Sequence, residues 1–161
     1  MYNQKFIASL GITVALLVAA TSPPAIASEK GVSAEGIAYV SGGVGDEELV
    51  TLKNGRANYS FWLVTAALGS GAYLADATVK ISDSKSGKLM LETKLAGPWL
   101  FVALPNGRYA IDATYAQGHG GKPETQRSTT TINTGDHHQT VLYFDSGDKV
   151  GDTVKDNQVT K

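Results

Sequence analysis

Leu104-Pro105-Asn106-Gly107-Arg108 stands between two runs rich in apolar, β-branched and aromatic residues, Trp99–Leu104 and Arg108–Tyr115. Asn-Gly between such runs is a strong hairpin signal, because both residues tolerate positive φ. Pro105 presets the chain direction and lacks the N–H that a central ladder needs, so the first strand is expected to stop near Leu104. Gly97–Tyr115 therefore reads as a β-hairpin around which the remaining strands gather.

The flanking sequence repeats the two-residue period. Tyr59–Ala67 places Tyr59, Phe61, Leu63 and Thr65 on one face and Ser60, Trp62, Val64 and Ala66 on the other. Its mostly apolar second half suits a central strand covered on both sides. In Ala77–Asp83, Ala77, Val79 and Ile81 alternate with Thr78, Lys80 and Ser82, the pattern of a strand with one wet face. Asp83–Gly87 is a turn by composition and Lys88–Lys94 the return strand. In Arg108–Tyr115 the residues Tyr109, Ile111, Ala113 and Tyr115 form the core row, which leaves Asp112 as a surface charge. Gln117–Glu124 is a loop, and Thr125–Asn133 and Gln139–Phe144 are the last two strands.

Before Tyr59 the pattern differs. Gly36–Val40 is a short apolar run that leads into Ser41-Gly42-Gly43-Val44-Gly45, where the glycines imply unusual φ/ψ or a close approach of the backbone. No Lys-Ser/Thr follows, so this is a turn and not a phosphate loop. Asp46–Asn54 is expected to be a short helix. Asp46, Glu47 and Glu48 suit its N-terminus, Lys53 its last turn and Gly55 its C-cap, with Leu49, Leu52 and Val50 on the buried stripe.

These elements add up to an all-β fold: an antiparallel β-sandwich of about seven strands with one short N-terminal helix. A small closed barrel is the alternative. Residues 1–27 read as a signal peptide, with Lys5, the apolar run Phe6–Ala20 and Ala25-Ile26-Ala27 before a cut at Ser28. The apolar run is shorter than the ~20 residues that span a bilayer, so no membrane span is expected after cleavage. Residues 28–57 form an N-terminal segment with the helix, with a polar, loose Ser28–Glu35. Residues 58–145 form the sandwich, and 146–161 a disordered tail. The location that follows is the periplasm or the outside of the cell. With 14 basic and 15 acidic residues the chain has no field for nucleic acid, and the absence of Cys removes disulfides, zinc-thiolate sites and thiol nucleophiles.

The pattern Leu104-Pro105-x-Gly107-x-Tyr109-x-Ile111-x-Ala113 resembles the transthyretin-like (prealbumin-like) sandwich, which also forms the regulatory domain of metallocarboxypeptidases. Related modules serve as stalk repeats in bacterial surface adhesins. The resemblance covers roughly Tyr59–Phe144 and implies a prealbumin-like, carboxypeptidase regulatory-like domain. Tyr39–Gly45, Gly71–Asp76 and Gly97-Pro98-Trp99 are similar to a set of small exported bacterial proteins. In carboxypeptidases the chemistry belongs to a separate zinc domain. Hydroxyisourate hydrolases share the fold and end in tyrosine-arginine-glycine-serine; this chain has Leu142-Tyr143-Phe144-Asp145-Ser146-Gly147 at its last strand, which argues against that activity.

Candidate chemistry is sparse. His119, His137 and His138 lie in or beside loops, and adjacent His137 and His138 point to opposite faces of an extended chain. One of them could form a metal site with His119 and Asp136 only if the two loops met at one end of the sandwich, so no metal and no cofactor is expected. No Ser-His-Asp grouping has a nucleophile elbow, and no catalytic residue is assigned. Lys80 and Lys94 are conceivable donors of an isopeptide bond, though the wet-face position of Lys80 argues against it. Trp62 and Trp99 both fall in apolar runs and read as core, with Trp99 at the Gly97-Pro98 corner the more exposed.

The expected function is a non-catalytic exported sandwich that contacts another envelope protein. Tyr39, Gly42, Gly43, Tyr73 and Trp99 are the residues expected to bind the partner or ligand. A carbohydrate or small-ligand module, and a divergent hydrolase on the same fold, are the alternatives.

Overall fold

The computed structural model describes residues 28–147. The expected signal peptide lies outside the described residues, and so does the expected tail beyond Gly147. The described chain forms two sheets and one α-helix, and neither sheet closes into a barrel. Sheet A contains β1 (Glu29–Val32), β2 (Ala38–Gly42), β3 (Phe61–Ala67), β6 (Trp99–Val102) and β9 (His138–Phe144), in the order β1-β2-β6-β3-β9. Sheet B contains β4 (Thr78–Asp83), β5 (Leu89–Lys94), β7 (Gly107–Tyr115) and β8 (Glu124–Ile132), in the order β5-β4-β7-β8.

Three expectations are corrected. Among the described residues there are nine strands, not seven, because Glu29–Val32 and Ala38–Gly42 pair with each other and extend sheet A through β2 and β6. Within the stretch expected to be loose, Glu29–Val32 is an edge strand whose side chains are nearly all exposed. The sandwich is not wholly antiparallel either. β9 runs parallel to β3, with Phe61 opposite His138 and Ala67 opposite Phe144.

The third correction concerns the expected hairpin. β6 and β7 do not pair. β6 lies between β2 and β3, and β7 between β4 and β8, so each spends both of its ladders on other strands. Leu104-Pro105-Asn106 is the passage from one sheet to the other. Gly107 opens β7 without a left-handed φ. A Cβ there would lie 3.0 Å from the Tyr109 hydroxyl, so the glycine makes room for that phenol to reach back.

The main core lies between the sheets. Phe61, Leu63, Leu100, Val102, Leu142 and Phe144 of sheet A meet Val79, Ile81, Leu91, Tyr109, Ile111 and Ile132 of sheet B. Alternate residues of sheet A point outward and form a second, smaller apolar cluster of Val40, Val64, Trp99 and Phe101. The expected helix, α1 (Asp46–Asn54), covers that cluster with Leu52 and Leu49, while Val50 is exposed. Its first turn carries Asp46, Glu47 and Glu48 and its last turn Lys53, each placed favourably for the helix dipole. Among the described residues no helix is long and apolar enough to cross a membrane.

Candidate functional site

The outer face of sheet A is built from two cross-strand rows. Val40, Phe101, Trp62 and Gln139 form one; Gly42, Trp99, Val64 and Val141 form the next. α1 covers the β2–β6 side of these rows and leaves the β3–β9 side open. The open part is a groove of about 260 Å³, with Val64, Ala66 and Val141 as floor and Tyr73, Trp99, Gln139 and Tyr143 around it. Tyr73 is 54% exposed and Tyr143 49%, large values for aromatic residues beside an apolar floor.

Trp99 is the wall between the groove and the helix. Its ring meets Tyr73 edge-on at 6.0 Å and Phe101 edge-on at 5.9 Å. The Lys53 ammonium lies 5.0 Å from its centroid. Trp99 is only 7% exposed, and among the described residues its buried Nε1 has no hydrogen-bond partner. Trp62 is the more exposed of the two tryptophans, contrary to expectation. The Gly-Pro corner brings Trp99 in beneath the helix, while Trp62 packs at the margin of the same cluster and donates from Nε1 to the Arg56 carbonyl at 3.3 Å. Trp62 stacks on His137 at 5.5 Å and carries Arg56 at 5.3 Å from its ring.

Gly42 and Gly43 are close to Trp99 and are occupied structurally. Gly43 has φ +89°, and a Cβ on it would lie 2.7 Å from Trp99 Cδ1. A Cβ on Gly42 would lie 2.5 Å from the Glu48 carboxylate. The other oxygen of Glu48 accepts a hydrogen bond from the Val44 amide at 2.9 Å, which ties the glycine loop to the helix start. What the glycine backbone approaches is therefore the chain's own helix and indole. Tyr39 is elsewhere: it pairs with Val102, packs against the main core, and places its phenol over Gly31.

Of the five expected residues, Tyr73 and Trp99 come together at the groove, Gly42 and Gly43 support Trp99 from behind, and Tyr39 is on the opposite face. Val64, Ala66, Gln139, Val141 and Tyr143 were not singled out from the sequence. Their signal is that both rows of Gln139–Phe144 carry large apolar residues, one more apolar row than a single core requires.

The histidines are divided between the two ends of the sandwich. His137 donates from Nδ1 to the Tyr59 carbonyl at 2.9 Å, and His138 Nε2 lies 3.4 Å from Asp136. Asp136 is held below the ordinary carboxylate range, chiefly by the Asn133 side chain and then by His138. His119 is at the far end of β9, its amide bonded to the Asp145 carbonyl. Seven extended residues, about 23 Å of strand, separate the two groups. A cleft of about 400 Å³ beside His137 also includes Ser60, whose hydroxyl donates to the Leu104 carbonyl at 2.7 Å. Among the described residues no three His, Cys, Asp or Glu side chains are grouped to hold a metal ion. Lys80 and Lys94, the conceivable isopeptide donors, are exposed and paired with Glu92 and Asp76 at 3.0 and 2.8 Å.

Compared with known proteins, the chain matches no family model and no curated protein.

Proposed function

We propose that this chain is an exported, non-catalytic β-sandwich that docks a protein of the cell envelope through the uncovered β3–β9 half of the outer face of sheet A. One observation carries the reading: Tyr73, Val141 and Tyr143 are exposed side by side on an apolar floor that the helix leaves open. Large aromatic side chains around a shallow apolar groove are characteristic of the buried centres of protein interfaces. The signal-like N-terminus supports export to the periplasm or beyond. The Leu-Pro-x-Gly-x-Tyr resemblance supports a transthyretin-like, carboxypeptidase regulatory-like relationship, in which the domain serves as a contact module. In support of a non-catalytic role, the polar groups beside the His137 cleft are engaged: Ser60 and His137 bond to main-chain carbonyls, and Asp136 to Asn133.

A photoreactive residue in place of Tyr143, in cells that produce the protein, tests this reading. It is expected to give a discrete protein adduct that Val141→Lys abolishes, while the same residue in place of exposed Thr131 on sheet B gives none. No adduct from position 143, or equal adducts from both positions, would falsify the assignment.

A further inference from the structure

The two outer faces treat charge differently. On sheet B, Glu92, Lys80, Asp112 and Arg127 stand in one row across all four strands. Lys80 bonds Glu92 at 3.0 Å and Arg127 bonds Asp112 at 3.1 Å, so this row neutralises itself. On sheet A the two rows across β2, β6, β3 and β9 contain no charged residue. The charge there comes from Lys53 and Arg56, which lie over Trp99 and Trp62 at 5.0 and 5.3 Å. Both are exposed, and among the described residues neither is in an ion pair.

The neighbouring carboxylates are committed or distant along the helix. Asp46, Glu47 and Glu48 occupy the first turn of α1, the opposite end from Lys53. Glu48 accepts from the Val44 amide with one oxygen and buries the other against Gly42, and Asp136 accepts from Asn133 and lies beside His138. An indole face attracts a cation but leaves its charge uncompensated. The open groove is thus an apolar floor walled by Trp99, with Lys53 against that ring, while Arg56 lies over Trp62 on the next cross-strand row of the same face.

Resting on the docking face proposed above, we infer that the partner offers an acidic peptide segment, with large apolar side chains for the groove and carboxylates for Lys53 and Arg56. The apolar contacts provide the area. The two cations select the sign of the partner and reject basic segments.

The test uses fluorescein-labelled synthetic peptides that combine phenylalanine and leucine with aspartate, with lysine or with serine, and reads their anisotropy on the full chain. The aspartate peptide is expected to bind roughly tenfold more tightly than the lysine peptide at low salt, from two partly exposed charge pairs. High salt narrows the difference. Lys53→Glu with Arg56→Glu reverses the preference, and the milder Lys53→Gln with Arg56→Gln abolishes it; near-UV circular dichroism of the two tryptophans verifies that both variants stay folded.

Equal binding of the aspartate and lysine peptides, or an unchanged preference in folded charge-reversed protein, overturns the inference. If all three peptides bind alike and Tyr143→Ala weakens them all, the docking face stands and only its charge selection fails. If no peptide binds and position 143 gives no adduct, both fail. Binding to phosphatidylglycerol vesicles without binding to peptides also overturns the inference, since the face would then meet lipid.

Discussion

The hydroxyl of Tyr109 donates to the main-chain carbonyl of Pro105 across 3.0 Å, closing the corner by which the chain leaves sheet A for sheet B. This is the geometry of a tyrosine corner in a sandwich, with the phenol folded back over Gly107. Tyr109→Phe keeps the ring in the core and removes this one bond. The expected loss is about 1 kcal/mol of stability by denaturant unfolding. Burial, and then the charge of Asp83, raise the Tyr109 pKa above the ordinary 10.0. The folded state therefore holds the proton more tightly than the unfolded chain. The resulting stability is present below pH 10 and lost as pH rises through the folded value, which ultraviolet titration of wild type against Tyr109→Phe would resolve.

Gly43→Ala combines a left-handed φ with a Cβ 2.7 Å from Trp99 Cδ1. It is expected to destabilise the protein by about 1–3 kcal/mol and to alter the near-UV dichroism of Trp99. Gly36→Ala, with a similar φ and open space around its Cβ, is the control. It is expected to lose stability from backbone strain while leaving the tryptophan signal unchanged.

Leu52 is the buried contact through which α1 holds the second apolar cluster. Leu52→Ala is expected to cost about 2–3 kcal/mol and to shift tryptophan emission to the red as Trp99 becomes wetter. Val50→Ala, on the exposed side of the same helix, is expected to change stability by less than about 0.5 kcal/mol and to leave the emission unchanged.

Asp83 is held below its ordinary pKa of 3.8 by the Ser86 hydroxyl and then by the Ser86 amide, and Asp136 is held below it by Asn133 and His138. A depressed folded pKa means that the unfolded chain takes up its proton first. These contributions are present above pH 3.8 and are lost as pH falls through the folded values. Carboxyl NMR titration is expected to place both groups below the ordinary 3.8. Asp83→Asn and Asp136→Asn are each expected to flatten the acid limb of the stability profile, and an unchanged limb would contradict the assignment.

On the open groove, Tyr143→Ala and Val141→Lys are expected to alter stability by under about 0.5 kcal/mol, as their side chains are partly exposed on the outer face. Both are nonetheless expected to abolish partner capture. A loss of folding in either variant, seen by thermal melting, would mean that the patch is structural.

Local pattern accounts for much of the fold. The alternation in Ala77–Asp83 and Arg108–Tyr115, the Asp83–Gly87 turn and the acid-to-base gradient of Asp46–Asn54 all produced the expected elements. Strand pairing was not legible. The residues around Asn106-Gly107 suit a tight hairpin as well as they suit a sheet-to-sheet corner, because neither composition nor period records which ladder positions other strands will take. Glu29–Val32 was missed for a related reason: an edge strand needs only one apolar row, and this one has almost none.

The sequence by itself determined where strands and helix could form, since side-chain period and end charges act within a few residues. Tertiary structure decided which sheet each strand joined and which apolar row stayed open. The reason is that burial depends on what packs from far along the chain. Trp99 is covered because α1 lies over it, and Tyr143 is exposed because that nine-residue helix stops short of β9.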